Sequence, residues 1–456
     1  MNAAQFAVYS RREWRAPVFR FPAAHYEARP EDATIDGSNR AILQYDKSGN
    51  SAVNVLCLNG VAGNYASAPH SEALDITGDI DLRADVALKN WSSGSVQVFV
   101  GKYTGTGDQR SYRLFSNVTG GISIGWSTLG TSGTVITGNS TVAVGLAANS
   151  RKTIRATLNV SNGGGVYEVN FYTSDDGLTW TQLGTTVTGG AATSIFSSSA
   201  TINVGASFAG TSDFCDGNIY RAQIYNGIDG TLAFDFDPSV AAKLAGTVTE
   251  RSANAATVTI NSTGDTGARI AGARDLAQFT STKMSVYTAP TANGPGRFTY
   301  DGANDYSKSP AFALGQPVTV YFVGSQVTWT VDDTIYDGGT DAAMILRQGA
   351  TTPALRIYAG SQTGENAGLA VATNGIVSTV FNGAASSNRV NRGTAVTGNA
   401  GTLAPNGITL GARGVGSNYA NITVSEILAY PSNHDEIAQQ RVARDMMRRM
   451  RIPMAA

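Results

Sequence analysis

From Val166 to Tyr172 the chain alternates: Val166, Glu168, Asn170 and Tyr172 share one face of an extended segment, and Tyr167, Val169 and Phe171 share the other. The second set is expected to point inward. Segments of this kind, among them Ser95 to Val100 and Thr153 to Leu158, recur between about residues 51 and 238 and are separated by clusters of Gly, Asn, Asp and Ser. Half-buried antiparallel strands joined by tight turns require that pattern. Asp176-Gly177 marks one such hairpin, with Trp180 at the start of its return strand. A total of 52 glycines, with charged residues at only 15%, fits a chain made largely of short strands and turns.

At 456 residues the chain exceeds one ordinary hydrophobic core, so two modules are expected. The boundaries read as an extended N-terminal arm at 1–50, a first sandwich at 51–238, a linker with short strands at 239–280 and a second sandwich at 281–456. The arm is set apart by Pro17, Pro22 and Pro30, which disfavour a long helix. The second module ends in a helix at 433–451, capped by Ser432 or Asn433, with Asp435 and Glu436 in its first turn and Arg444, Arg448, Arg449 and Arg451 near its end. Its apolar stripe reads as Ile437, Ala438, Val442, Met446 and Met450.

The modules echo each other. Asn59-Gly60, Asn64-Tyr65 and Pro69 correspond to Asp301-Gly302, Asp305-Tyr306 and Pro310, and the stretch Ile202 to Tyr225 parallels Ile408 to Tyr430. The opening Asp301-Gly302-Ala303-Asn304-Asp305-Tyr306 and the closing Val424-Ser425-Glu426-Ile427-Leu428-Ala429-Tyr430 resemble the paired signatures of the concanavalin-like, laminin-G-like jelly-roll superfamily. The resemblance implies a mainly β protein: two tandem jelly-roll β-sandwiches with an N-terminal arm and a C-terminal α-helix. The closing helix and the stretch Gly230 to Pro238 also resemble bacteriophage tail and virion proteins.

Chemistry is sparse along the chain. The strand of alternating acids used by glycosidases of this architecture is absent, and Asp75, Asp79, Asp81 and Asp85 read as solvated loop acids. His25, His70 and His434 are scattered and read as surface or capping residues, and no Gly-x-Ser-x-Gly elbow accompanies them. Ser174 to Trp180 is one residue short of the sialidase Asp-box and reads as a plain hairpin. Cys57 and Cys215 lack metal or redox spacing, and whether they pair stays open. Laminin-G-like modules often bind calcium through loop oxygens, which makes Asp301 and Asp305, or Asp213 and Asp216, the metal candidates, with a turn-stabilising role for the same side chains as the alternative; no other cofactor is expected. Rim aromatics that could stack on sugars are Trp91, Trp126, Trp329 and Tyr419, against a core role for the same rings. Arg11, Arg12, Trp14, Arg15 and Phe19 give the arm its partner-docking character, with an arm folded back on its own module as an equal alternative.

A formal net charge of −1 gives nucleic acid no overall field to follow, and no run of roughly 18 apolar residues suggests membrane insertion. Arg11, Arg12, Glu13 and Arg15 stand where a secretory signal needs an apolar core. Together with the resemblance, these readings imply a non-enzymatic bacteriophage virion protein. It would be made in the host cytoplasm without a signal peptide, displayed on the head or tail surface, and docked to other virion proteins through its arm. Homotrimers are common among the phage proteins it resembles. The alternatives are a glycan-binding adhesin for host surface polysaccharide and, less favoured, a glycoside hydrolase.

Overall fold

The computed structural model describes residues 22–48, 53–278, 280–291, 294–366 and 368–452. The alternating segments form four antiparallel sheets, stacked as two sandwiches. In the first sandwich, Asp216–Asn226 lies between Ile80–Leu88 on one side and Asn54–Asn59 on the other, and Arg151–Asn159 and Glu168–Ser174 continue the sheet. In the second, Asn421–Tyr430 lies between Val318–Gln326 and Arg297–Asp301, and Gly375–Phe381 continues. Even the register repeats: Asn59 faces Asp216 and Asp301 faces Asn421. The mainly β, doubled architecture expected from the sequence is therefore present, closed by one helix.

Each sandwich has its own core. Leu82, Val86, Phe99, Leu114, Ile154, Phe171 and Phe234 fill the first, and Tyr300, Val320, Phe322, Tyr336, Ile357 and Ile427 fill the second. Every such side chain removed from water stabilises its module by roughly 1.5–3 kcal/mol before chain entropy is counted.

The described part of the N-terminal segment follows the folded-back alternative, and the module it folds onto is the second sandwich. The docking candidates Arg11, Arg12, Trp14, Arg15 and Phe19 lie outside the described residues, but 22–48 is no free arm. Ala24–Glu27 pairs with Ala429 to Glu426, and Ala33–Ile35 and Ala41–Gln44 extend the facing sheet of the second sandwich. The reason lies in an edge. In the first sandwich, Thr231–Phe236 follows the closing strand directly and covers its outer half, from Ala222 to Asn226. After Tyr430 the chain enters a helix instead, so the equivalent edge is left for the N-terminal strand.

The expected linker is also structural. Thr247–Thr249 and Thr257–Asn261 form a hairpin on the first sandwich, Arg269–Gly272 pairs with Asn54–Asn59, and Leu276–Ala277 joins the second sandwich. The first sandwich, 54–272, is thus inserted between 22–48 and 276–452 of the second. Asp275, fully buried, ties the two crossing segments together by accepting the Asp46 amide at 2.8 Å and the Gly272 amide at 2.9 Å.

The helix spans Glu436–Arg449, and its cap is Asp435, whose carboxylate accepts the Ala438 amide at 2.8 Å. Its buried face is Gln439, Ala443, Met446 and Met447, continued by Met450, while Ile437 is 64% exposed. That face packs on Tyr321, Val323, Ile376, Leu428 and Tyr430, which project from the side of the sheet away from the sandwich core. Cys57 and Cys215 are buried free thiols.

Candidate functional site

The outward face of the first sandwich concentrates unlike chemistry. Along Ile80–Leu88 the side chains of Leu82, Ala84, Val86 and Leu88 turn into the core, so Asp81, Arg83 and Asp85 turn out. Register then sets two rows across four strands. One row is Tyr172, Arg155, Arg83 and Gln223; the next is Asn170, Thr157, Asp81 and Tyr225.

Two arginines directly opposite each other would repel. Asp81, fully buried, removes the conflict by taking both: Arg83 Nη2 donates to its Oδ2 at 2.6 Å and Arg155 Nη2 at 2.8 Å, with each Nε donating to Oδ1. Asp229, whose side chain is 65% exposed, closes over the same guanidiniums, 2.5 Å from Arg83 and 2.8 Å from Arg155. Its backbone is left-handed (φ 51°), a conformation held in place by these contacts and by its amide hydrogen bond to Asp81. The hydrogen bond from Arg155 leads the effects that lower the Asp229 pKa. Burial works against the Arg83 charge, but Asp81, Tyr225 and Asp229 more than offset it and raise its pKa. The charges are therefore fixed.

Aromatic rings interleave with these cations. The Arg83 guanidinium lies 4.3 Å from the Tyr225 ring centre and 5.6 Å from that of Trp180; Arg155 lies 5.6 Å from Trp180 and 5.3 Å from Tyr172. Each such contact contributes roughly 0.5–2 kcal/mol, and together they hold a half-exposed indole outside any hydrophobic core. Trp180 reaches the face because the hairpin before it is firmly built. Asp176 accepts the Leu178 and Thr179 amides at 2.8 and 2.7 Å, bonds that hold its carboxyl below the usual range, and Ser174 accepts the Gly177 amide at 2.9 Å. Beside the rings lies a polar strip in which Asn170 accepts from Thr186 at 2.6 Å and from Gln182 at 3.3 Å. Rings next to hydroxyl and amide groups can grip a ligand that has both apolar faces and hydroxyls.

The sequence candidates fall elsewhere. Trp91 and Trp126 are corrections: Trp91 is buried in the first core and donates to the Ser150 carbonyl at 3.1 Å, and Trp126 is fully buried, donates to Thr193 at 3.1 Å and packs edge-on against Tyr167. The strand Gly121–Ser127 turns Ile122, Ile124 and Trp126 to the same inward side, a signal present in the sequence. Trp329 and Tyr419 are half-buried in loops of the second sandwich, and Tyr419 donates to the Gly416 carbonyl. Neither lies among the residues of the face just described. Asp301 serves its own turn by accepting the amides of Ala303, Asn304 and Asp305, while Asp305 accepts the Asp301 amide at 3.0 Å. Burial, with the Asp301 charge, pushes Asp305 up to about 6.

The acids read as solvated loop residues are mostly engaged. Asp81 is buried in a strand, Asp85 pairs with Arg151, Asp75 pairs with the buried Lys102, and Asp79 accepts the Val160 amide. Two histidines are likewise not surface groups: His434 is buried against Tyr321, and His25 meets the buried Glu426. His25, Glu27 and Glu426 come close enough to suggest metal ligands. Cations already occupy that ground, since Arg449 bonds both Glu426 oxygens and Lys47 and Arg29 pair with Glu27.

No family model matches the chain, and no curated protein matches it. Among solved structures, domains LG4-5 of the mouse laminin alpha1 chain are 10% identical, covering 86% of this chain and 91% of that one, with a TM-score of 0.33. The CBM40 of Ruminococcus gnavus IT-sialidase bound to alpha2,3 sialyllactose is 14% identical over 37% of this chain and 90% of that one, with a TM-score of 0.28. A putative carbohydrate binding protein from Bacteroides ovatus is 11% identical over 48% and 60%, with a TM-score of 0.33. Likeness at this level assigns no family and no activity. Nothing in the comparisons links the chain to bacteriophage virion proteins.

Proposed function

We propose that the chain is a non-catalytic glycan-binding protein that holds sugar on the outward face of its first sandwich. One observation carries the reading: Trp180, half-exposed, is braced over Arg83 and Arg155 between Tyr172 and Tyr225, beside the polar strip of Asn170, Gln182 and Thr186. An indole fixed in this way offers a flat apolar surface to the C–H side of a pyranose without losing side-chain entropy on binding, and the neighbouring amides and hydroxyls meet the sugar hydroxyls. The non-catalytic part rests on the acids of the face. Glycoside hydrolysis needs a carboxyl kept protonated by a raised pKa, whereas both Asp81 and Asp229 bind two guanidiniums and the Asp229 pKa is lowered.

A place on a virion surface is the finer expectation, supported by the sequence resemblance of the closing helix and of Gly230 to Pro238. Screening the full chain on an array of host surface and bacterial envelope glycans tests the broader reading. The expected result is a defined set of bound glycans, absent from the array probed with Trp180→Ala, and no release of reducing sugar from any of them. An empty array, or a Trp180→Ala pattern identical to wild type, contradicts the proposal.

A further inference from the structure

Asp229 stands in the turn between Asp216–Asn226 and Thr231–Phe236 and is mostly exposed, yet its carboxylate lies on the guanidiniums of Arg83 and Arg155. The buried Asp81 already pairs both cations. Nη2 of each arginine converges on a single oxygen, Asp229 Oδ1, at 2.5 and 2.8 Å. Trp180 adjoins this place, its ring centre 5.6 Å from either guanidinium. Two cationic donors converging beside an aromatic ring are what a sugar carboxylate needs, and here a carboxylate of the chain itself fills the position. The other outward arginines are also met: Arg151 pairs with Asp85 at 2.5 Å and Arg221 with Asp235 at 2.6 Å. Glu168, on the same face of its strand as Asn170 and Tyr172, adds a further negative charge.

We infer that Asp229 determines the specificity of this face: its carboxylate occupies the place that a sugar carboxylate would take, so the face accepts neutral glycans and refuses acidic ones. The inference rests on the glycan reading of the face and names the class of sugar it takes. An acidic sugar stacked on Trp180 brings its carboxylate against that of Asp229, while the Nη2 donors that converge there are already bonded. Asp229 stays ionised, because the hydrogen bond from Arg155 leads the effects that lower its pKa. Like charges at such separations repel, and discrimination then comes from a cost placed on the wrong ligand. A neutral pyranose meets no such cost, since it needs only the ring of Trp180 and the amides and hydroxyls of Asn170, Gln182 and Thr186.

The test compares the full chain with Asp229→Gly and Asp229→Asn on an array that carries each neutral hexose oligosaccharide beside its C6-oxidised, carboxylate-bearing counterpart. Glycine suits the left-handed backbone of this position (φ 51°) and empties the place, whereas asparagine keeps the shape of the side chain and removes its charge. Wild-type binding is expected on the neutral members of the pairs. The ratio of acidic to neutral binding should rise roughly tenfold or more in Asp229→Gly, as befits the gain of one charge-assisted hydrogen bond, and by less in Asp229→Asn. Acidic counterparts bound by the wild type as tightly as the neutral ones, or a ratio unchanged in both variants, overturns the inference and leaves the glycan face standing. An array on which neither wild type nor variant binds any member removes the glycan face and this inference with it.

Discussion

His25 Nε2 lies 2.9 Å from Glu426 Oε1, joining residues 401 positions apart. Arg449 of the closing helix bonds both oxygens of the same carboxylate, so one buried acid fastens the N-terminal strand, the closing strand and the C-terminal helix. The glutamate of the closing signature thus has a structural task.

Replacing Glu426 with Gln should cost roughly 1.5–3 kcal/mol, because Arg449 loses a buried carboxylate partner while Asp445 still pairs with it at 3.0 Å. Burial opposes Glu426 ionisation, but the His25 hydrogen bond and the Arg449 charge outweigh it and lower the pKa. The contribution is therefore present above the unfolded value near 4.5 and is lost as pH falls through the folded one. Hydrogen exchange localises the effect: amides of Ala24–Glu27 and of the helix should exchange faster in Glu426→Gln, while those of Ile80–Leu88 keep their wild-type protection. A uniform increase in both sandwiches would contradict this assignment.

The doubled sandwich is legible in the sequence because its signals are local: alternation within a strand, Gly and Asp at turns, and the echo of Asp301 to Tyr306 by Asn59 to Tyr65. The role of Ala24–Glu27 is not. A four-residue strand near Pro22 and Pro30 carries no period, and its partner lies at the other end of the chain. The candidate face is partly legible. Alternation puts Tyr172 and Asn170 outward, and the Asp-Gly turn delivers Trp180, but only register shows that Arg155 and Arg83 stand opposite each other with Asp81 between them.

Asp305 provides a second check. Its folded pKa of about 6 lies above the unfolded 3.8, so the folded state holds a proton that the unfolded chain releases, and stability falls as pH rises through that window. Asp305→Asn keeps an oxygen for the Asp301 amide and removes the buried charge. It should stabilise the protein by about 3 kcal/mol at pH values above 6 and by little near pH 4. Urea midpoints on either side of the window measure the difference; equal effects at both pH values would contradict it. Added calcium should leave the wild-type midpoint unchanged, as expected for a carboxylate that serves a turn, whereas saturable stabilisation lost in Asp305→Asn would make the pair a metal site.

The most direct measurement is calorimetric titration of the tightest array glycan into wild type, Trp180→Ala and Trp329→Ala. With the binding surface on the first sandwich, affinity should fall roughly tenfold or more in Trp180→Ala and stay unchanged in Trp329→Ala. Wild-type affinity in Trp180→Ala would place the glycan elsewhere and remove the basis for the proposed face.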